Sequence, residues 1–145
     1  MSSERQTTGR RPISPEGRAA IVAGQRRRWS NPVRRSEHAL QAAIVEHVKL
    51  RLAPGVFVFA VPNGGLRHAI AGARLKREGV KAGVPDLALV IEGRAHFLEL
   101  KTERGRLTRE QVQRRHEIEA AGGTWACAKG LDAALSQLSE WGAIR

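Results

Sequence analysis

The feature that most constrains this chain is a pair of short apolar stretches with charges set inside them. Gly83-Val84-Pro85-Asp86 leads into Leu87–Ile91; Glu92-Gly93-Arg94 follows; residues 95–100 (Ala-His-Phe-Leu-Glu-Leu) then run to Lys101. Two short apolar runs parted by a glycine-containing turn specify a β-hairpin. Asp86, Glu99 and Lys101 lie within it, and charges seldom enter such strands without a partner or a metal. Taking Gly93-Arg94 as a two-residue turn sets Ala88 opposite Glu99 and Asp86 opposite Lys101. Side chains alternate along a strand, so Asp86, Glu99 and Lys101 share one face. The two carboxylates are then diagonal neighbours, with Cβ atoms roughly 7–8 Å apart. A three-residue turn would shift the register and separate them.

Two carboxylates at that spacing suit a hard cation such as Mg²⁺ or Mn²⁺, which prefers oxygen ligands. Such an ion polarises a phosphodiester and lowers the pKa of a water. The Lys101 ammonium can orient that water or stabilise charge on the phosphate. That set of groups is the equipment of a metal-dependent nuclease. The plainer reading is a strand-end salt bridge from Lys101 to Asp86 or Glu99.

Charge supports a polyanionic partner. The 145 residues hold 25 Lys and Arg against 14 Asp and Glu, a net +11, which points to nucleic acid. Residues 1–36 contribute +7 of this from nine Arg and two Glu, and the first lysine is Lys49. Arginine favours bidentate phosphate contacts. The length fits one modest core. The single cysteine, Cys127, excludes an intrachain disulfide and fits a reducing, cytoplasmic setting; in its apolar run it reads as a small buried residue. No apolar run approaches the roughly 20 residues of a membrane span, and no apolar region follows the basic N-terminus as in a secretory signal.

Taken in order, residues 1–35 form a basic arm. Its first 13 residues are polar, and Ser14-Pro15-Glu16 starts a helix reaching about Trp29. Arg26, Arg27 and Arg28 close that helix as candidate phosphate contacts; Trp29 either stacks on a base or docks on the main domain. The main domain spans 36–145. Ser36 caps a helix whose stripe is Leu40, Ala43, Ile44, His47/Val48 and Leu52, with Glu37 in its first turn. There Glu37 either favours the helix dipole or adds a third carboxylate to the site. Residues 56–61 (Val-Phe-Val-Phe-Ala-Val) are apolar on both faces and read as a central strand. Pro62-Asn63-Gly64-Gly65 is a turn at a strand end, with Asn63 as a candidate DNA contact. A short helix over 69–78 precedes a glycine-rich loop carrying Lys81. Beyond Lys101 comes a basic loop with Arg104. Thr108 and Gln111 then form a capping box on a helix reaching about Ala121. Gln111 has a rival role in holding Lys101 or a substrate phosphate. A strand over 124–129 and a helix marked by Leu131, Ala134, Leu135 and Leu138 follow, and Trp141 closes the core. The class is α/β, with helices on a mixed sheet. The last two strands are parallel by the crossover rule.

This ordered set resembles the PD-(D/E)xK nuclease superfamily and, more narrowly, the small stand-alone VRR-NUC nucleases of phage and bacteria. Glu37 with Gln41, Pro62-Asn63-Gly64-Gly65, Gly83-Val84-Pro85-Asp86-Leu87, Glu99-Leu100-Lys101, Leu107-Thr108 with Gln111, and Ala120-Ala121-Gly122 carry the resemblance. It covers about residues 36–141 and leaves the arm outside. It implies a restriction-endonuclease-like fold and a divalent metal on Asp86, Glu99 and the main-chain carbonyl of Leu100. Lys101 would be the catalytic lysine, Glu37 a further acid and Gln111 the family's glutamine. It also implies structure-selective cleavage of branched, flapped or junction DNA, a homodimer, and work in the cytoplasm of a bacterium or phage-infected host. The aromatic that often follows the family's glutamine is absent; Arg114 and Arg115 stand there. The five histidines show no paired zinc spacing. The competing class is a non-catalytic nucleic-acid-binding protein of nuclease-like fold. It accounts for the charge, but not for acids facing a polyanion.

Overall fold

The computed structural model describes residues 13–29, 36–62 and 69–145. Helix α1 (Pro15–Trp29) and helix α2 (Glu37–Arg51) each begin on a serine. The Ser14 hydroxyl accepts from the Gly17 N–H at 3.0 Å, and the Ser36 hydroxyl accepts from the Ala39 N–H at 3.2 Å. Each bond satisfies one of the amide groups that a helix start leaves unpaired. Strand β1 (Phe57–Ala60), helix α3 (Ala69–Arg77), strands β2 (Leu87–Ile91) and β3 (Arg94–Lys101), helix α4 (Arg109–Ala120), strand β4 (Thr124–Lys129) and helix α5 (Gly130–Glu140) follow.

The strands form one sheet in the order β1-β2-β3-β4. The pairs β1–β2 and β2–β3 are antiparallel, and β3–β4 is parallel. The crossover from β3 to β4 runs through α4, as expected. The stretch at 56–61 is an edge strand, not a central one. Phe57 and Phe59 are 63% and 48% exposed on the sheet face away from the core, so its second apolar face reflects missing cover rather than double burial. The hairpin turn is Glu92-Gly93, because Ile91 pairs with Arg94. Both turn residues have positive φ, 49° and 75°, the signature of a type I′ turn with glycine in its second place. Arg94 thereby stays in the strand.

One face of the sheet carries Leu87, Leu89, Ile91, Leu98, Leu100 and Ala128. These pack with Leu40, Ile44 and Val48 of α2 and Leu131, Ala134, Leu135 and Leu138 of α5 into one core. Fully burying such a side chain contributes about 1.5–3 kcal/mol. Trp141 packs at its margin, its ring 5.1 Å from that of His96. Leu52, expected in the α2 stripe, lies beyond the helix as its cap and is 39% exposed. On the opposite face α4 packs over β4, its Arg115 guanidinium 5.1 Å from the Trp125 ring, and leaves the β1 side open. Arm helix α1 sets Pro15, Arg18, Ala19 and Val22 against Leu50, Arg51, Leu52 and Pro54 at the C-terminal end of α2.

The loop from Gly79 to Pro85 is pinned by Gly83. Its φ is +76°, and a β-carbon there would lie 2.5–2.7 Å from the backbone of Glu110 and Gln111. Both the left-handed conformation and the close approach require glycine. Gly83→Ala is therefore expected to cost at least about 2 kcal/mol, read as a lowered denaturant midpoint. An unchanged midpoint would show that this approach is not needed.

Candidate active site

The register correction moves the hairpin by two residues, so the faces are preserved. One rung beyond Leu87 opposite Leu98, Asp86 comes opposite Glu99 itself rather than diagonal to it. Asp86 sits where the β2–β3 ladder ends. Its carbonyl accepts from the Val61 N–H at 2.8 Å, and its carboxylate oxygen Oδ2 accepts from the Leu100 N–H at 2.8 Å. In a strand, the N–H and C=O of one residue leave by the same edge. The Leu100 carbonyl therefore faces the edge where Asp86 lies.

Glu99 is 2% exposed and Lys101 5%. The Lys101 ammonium lies 3.1 Å from Glu99 Oε1 and 3.2 Å from Glu37 Oε1, so the first turn of α2 reaches the site as well. Gln111 holds Glu99 from the other side: its Nε2 donates to Glu99 Oε1 at 2.5 Å. Its own Oε1 accepts from the Thr108 N–H at 2.9 Å, and its N–H donates to the Thr108 hydroxyl at 3.3 Å. The helix cap and the site contact thus use the same side chain. Its site partner is Glu99 rather than Lys101.

Burial, and then the neighbouring charge of Asp86, push the Glu99 carboxyl from a glutamate's ordinary 4.5 up to about 7, against the pull of Lys101. Burial also raises Asp86, opposed by the Leu100 N–H and by Lys101. For Lys101, burial acts downward, but its bonds to Glu99 and Glu37 outweigh it and hold the ammonium above the usual lysine range. Two desolvated carboxylates side by side, both resisting ionisation, fit a divalent cation, which would favour their charged forms. The groups gathered there are oxygen donors: the Asp86 and Glu99 carboxylates and the Leu100 carbonyl. Among the described residues no cluster of three or more His, Cys, Asp or Glu is placed to hold a metal.

The other expected contacts are placed less centrally. Lys81 bonds Glu117 of α4 at 3.3 Å, tying the Gly79–Pro85 loop to that helix. Ala82, Gly83, Val84, Asp86, Thr108, Glu110 and Gln111 line a shallow cleft of about 320 Å³ there. Arg104 is exposed in the loop after β3. Asn63 and the side chains of Arg26, Arg27, Arg28 and Trp29 lie outside the described residues. Of the arginines that replace the family's aromatic, Arg114 pairs with Glu117 at 2.6 Å and Arg115 with Glu119 at 3.0 Å. Cys127 is half-buried at the ladder position beside Glu99. Burial and the Glu99 charge push its thiol up, leaving it neutral at pH 7. Its place beside Glu99 follows from the parallel register of β4, which no local signal in the sequence gives away.

A solved structure described as a VRR_NUC domain protein superposes with a TM-score of 0.63 at 25% identity, covering 72% of this chain and 86% of its own. A second, described as a VRR_NUC domain, gives a TM-score of 0.48 at 18% identity over 72% of this chain and 94% of its own. No protein-family model and no curated protein matches the sequence. The fold places the chain in the nuclease-fold class of that first structure. The likeness to the first structure supports assignment of the chain to the VRR-NUC family.

The raised Glu99 carboxyl sets a pH dependence. Its proton is held more tightly in the folded state, so its contribution to stability is full below about pH 4.5 and is lost as pH rises through about 7. In EDTA, stability should fall by about 3 kcal/mol across that window, followed by denaturant unfolding. Glu99→Gln should flatten the fall; a fall of equal size in the variant would place its origin elsewhere.

Proposed function

We propose that this chain is a Mg²⁺- or Mn²⁺-dependent DNA endonuclease that hydrolyses phosphodiester bonds and prefers branched, flapped or junction DNA. The observation that carries this reading is the pair of carboxylates, half-buried Asp86 and buried Glu99, with Lys101 against Glu99. Asp86, Glu99 and the Leu100 carbonyl would hold the cation, with Glu37 close enough to contribute. When bound, the cation polarises the phosphodiester and makes a water more acidic. Lys101 is fixed as an ammonium by Glu99 and Glu37, so it can donate to a phosphate oxygen or to the attacking water without giving up its proton. Gln111 holds Glu99 in place. Acids buried against a polyanion repel it unless a cation intervenes, which favours the enzyme over a purely binding protein. The reading includes a homodimer working in the cytoplasm; among the described residues no helix is long and apolar enough to cross a membrane.

The test is cleavage of labelled single-strand, duplex, flap and four-way-junction DNA with Mg²⁺, Mn²⁺ or EDTA. Asp86→Ala and Lys101→Ala should each slow metal-dependent cutting at least about a hundredfold while DNA binding survives. Cutting at the wild-type rate by Asp86→Ala would end the proposal. Binding unaffected by EDTA, with no cutting of any substrate, would favour the non-catalytic protein. Deleting residues 1–35 should weaken binding and flatten its salt dependence, since released phosphate contacts are read directly in that slope. An unchanged slope would show that the arm makes none.

A further inference from the structure

The last rung between β3 and β4 sets Lys101 beside Lys129. Side chains on one rung leave the sheet on the same side, so Lys129 shares the face of Glu99 and Lys101. The two lysines are about 4.8 Å apart in the backbone, one strand spacing, and their situations are opposite. Lys101 is buried and committed to Glu99 and Glu37. Lys129 is exposed and, among the described residues, has no ion pair or side-chain hydrogen bond. It also lies on an edge strand, so no further strand screens it.

The loop after β3 adds to this margin. It folds over Lys101: a β-carbon on Gly105 would lie 3.1 Å from Cβ and Cδ of Lys101. Gly105 is flanked by the exposed Arg104 and Arg106. The one acid of the loop, Glu103, turns its carboxylate onto Gly130, the first residue of α5, where the helix dipole favours it. The rim therefore grades from the carboxylates at Asp86 and Glu99, through the neutralised Lys101, to cations at Lys129, Arg104 and Arg106.

We propose that Lys129 binds the phosphate adjacent to the scissile one, leading the cleaved strand off the carboxylates toward β4. The inference rests on the nuclease reading of the Asp86–Glu99 site. Lys129 acts as a positioning residue: it holds a neighbouring phosphodiester as a point charge and touches no reacting atom. Because it is exposed, its replacement leaves the core intact.

The test begins with binding in EDTA, where cutting is not required. Kd for the preferred DNA is measured against salt for wild type, Lys129→Ala and Lys129→Arg. Lys129→Ala should weaken binding severalfold and reduce the magnitude of the log–log salt slope by about 0.7–0.9, one phosphate contact. Lys129→Arg should restore both. In Mg²⁺, Lys129→Ala should raise KM more than it lowers kcat. The position is fixed with DNA carrying one uncharged methylphosphonate linkage next to the mapped cut. On that substrate the Lys129→Ala penalty should vanish, because the two changes remove the same contact. An unchanged salt slope overturns the proposal whether or not the wild type cuts. A reduced slope with fully additive penalties at that linkage overturns it too, by placing Lys129 on another phosphate. A reduced slope, restored by Lys129→Arg, in a protein that cuts nothing supports the phosphate contact and sinks the nuclease reading alone.

Discussion

The structure turns on two carboxylates brought side by side, Glu99 buried and Asp86 half-buried. Burying one ionised acid is costly, and burying two in contact adds their repulsion. Three neighbours of Asp86 and Glu99 reduce that cost, while the Glu37 charge adds to it. The Leu100 amide donates to Asp86, the Lys101 ammonium lies against Glu99, and the Gln111 amide donates to Glu99. The compensation is incomplete, since both carboxyls remain raised. A protein under selection for stability alone would gain by replacing such a pair with apolar residues. An unrelieved carboxylate pair beside an open cleft is what the proposed cation would relieve.

The supports come from elements far apart in the chain, which explains the tight loops around them. Glu37 arrives from the first turn of α2, Gln111 from the first turn of α4, and Asp86 from the strand entry behind Gly83. Both helix starts are fixed by side-chain caps, Ser36 and Thr108, so Glu37 and Gln111 are placed by backbone geometry before they meet the site. Gln111 is economical in this respect, because ordering it for the cap also orders it for Glu99. The approach of Gly83 to the backbone of Glu110 and Gln111 then locks the entry of Asp86 to the same helix start.

Much of this was legible because the signals are local. The caps at Ser14, Ser36 and Thr108, the stripes of α2 and α5, and the hairpin itself can each be read within a dozen residues. The facing of Asp86, Glu99 and Lys101 survived a turn placed one residue too late, because the resulting slip was two residues and side chains repeat every two. What escaped the sequence is non-local. The 56–61 strand looked central because apolar faces do not say whether another layer covers them, and here nothing described covers Phe57. Gln111 looked like a cap or a site residue, and only the packing of α4 on the sheet lets it be both. The positions of Cys127 and Lys129 beside Glu99 and Lys101 depend on the register of a parallel pair joined through a whole helix, and no turn chemistry specifies that register.

The seating of α1 has a mechanical consequence. Its N-terminal half packs at the far end of α2 from Glu37, while eight residue steps join Trp29 to Glu37, a leash of at most about 28 Å. Each of the two helices is about 22 Å long, so a course leading straight away from Glu37 would overrun the leash. Packing thus anchors one end of the arm helix, and the covalent chain restrains the other. Any backbone contact made by that basic end is therefore an intramolecular second hold on a strand already at the site. Its strength would be set by effective concentration rather than by its own affinity.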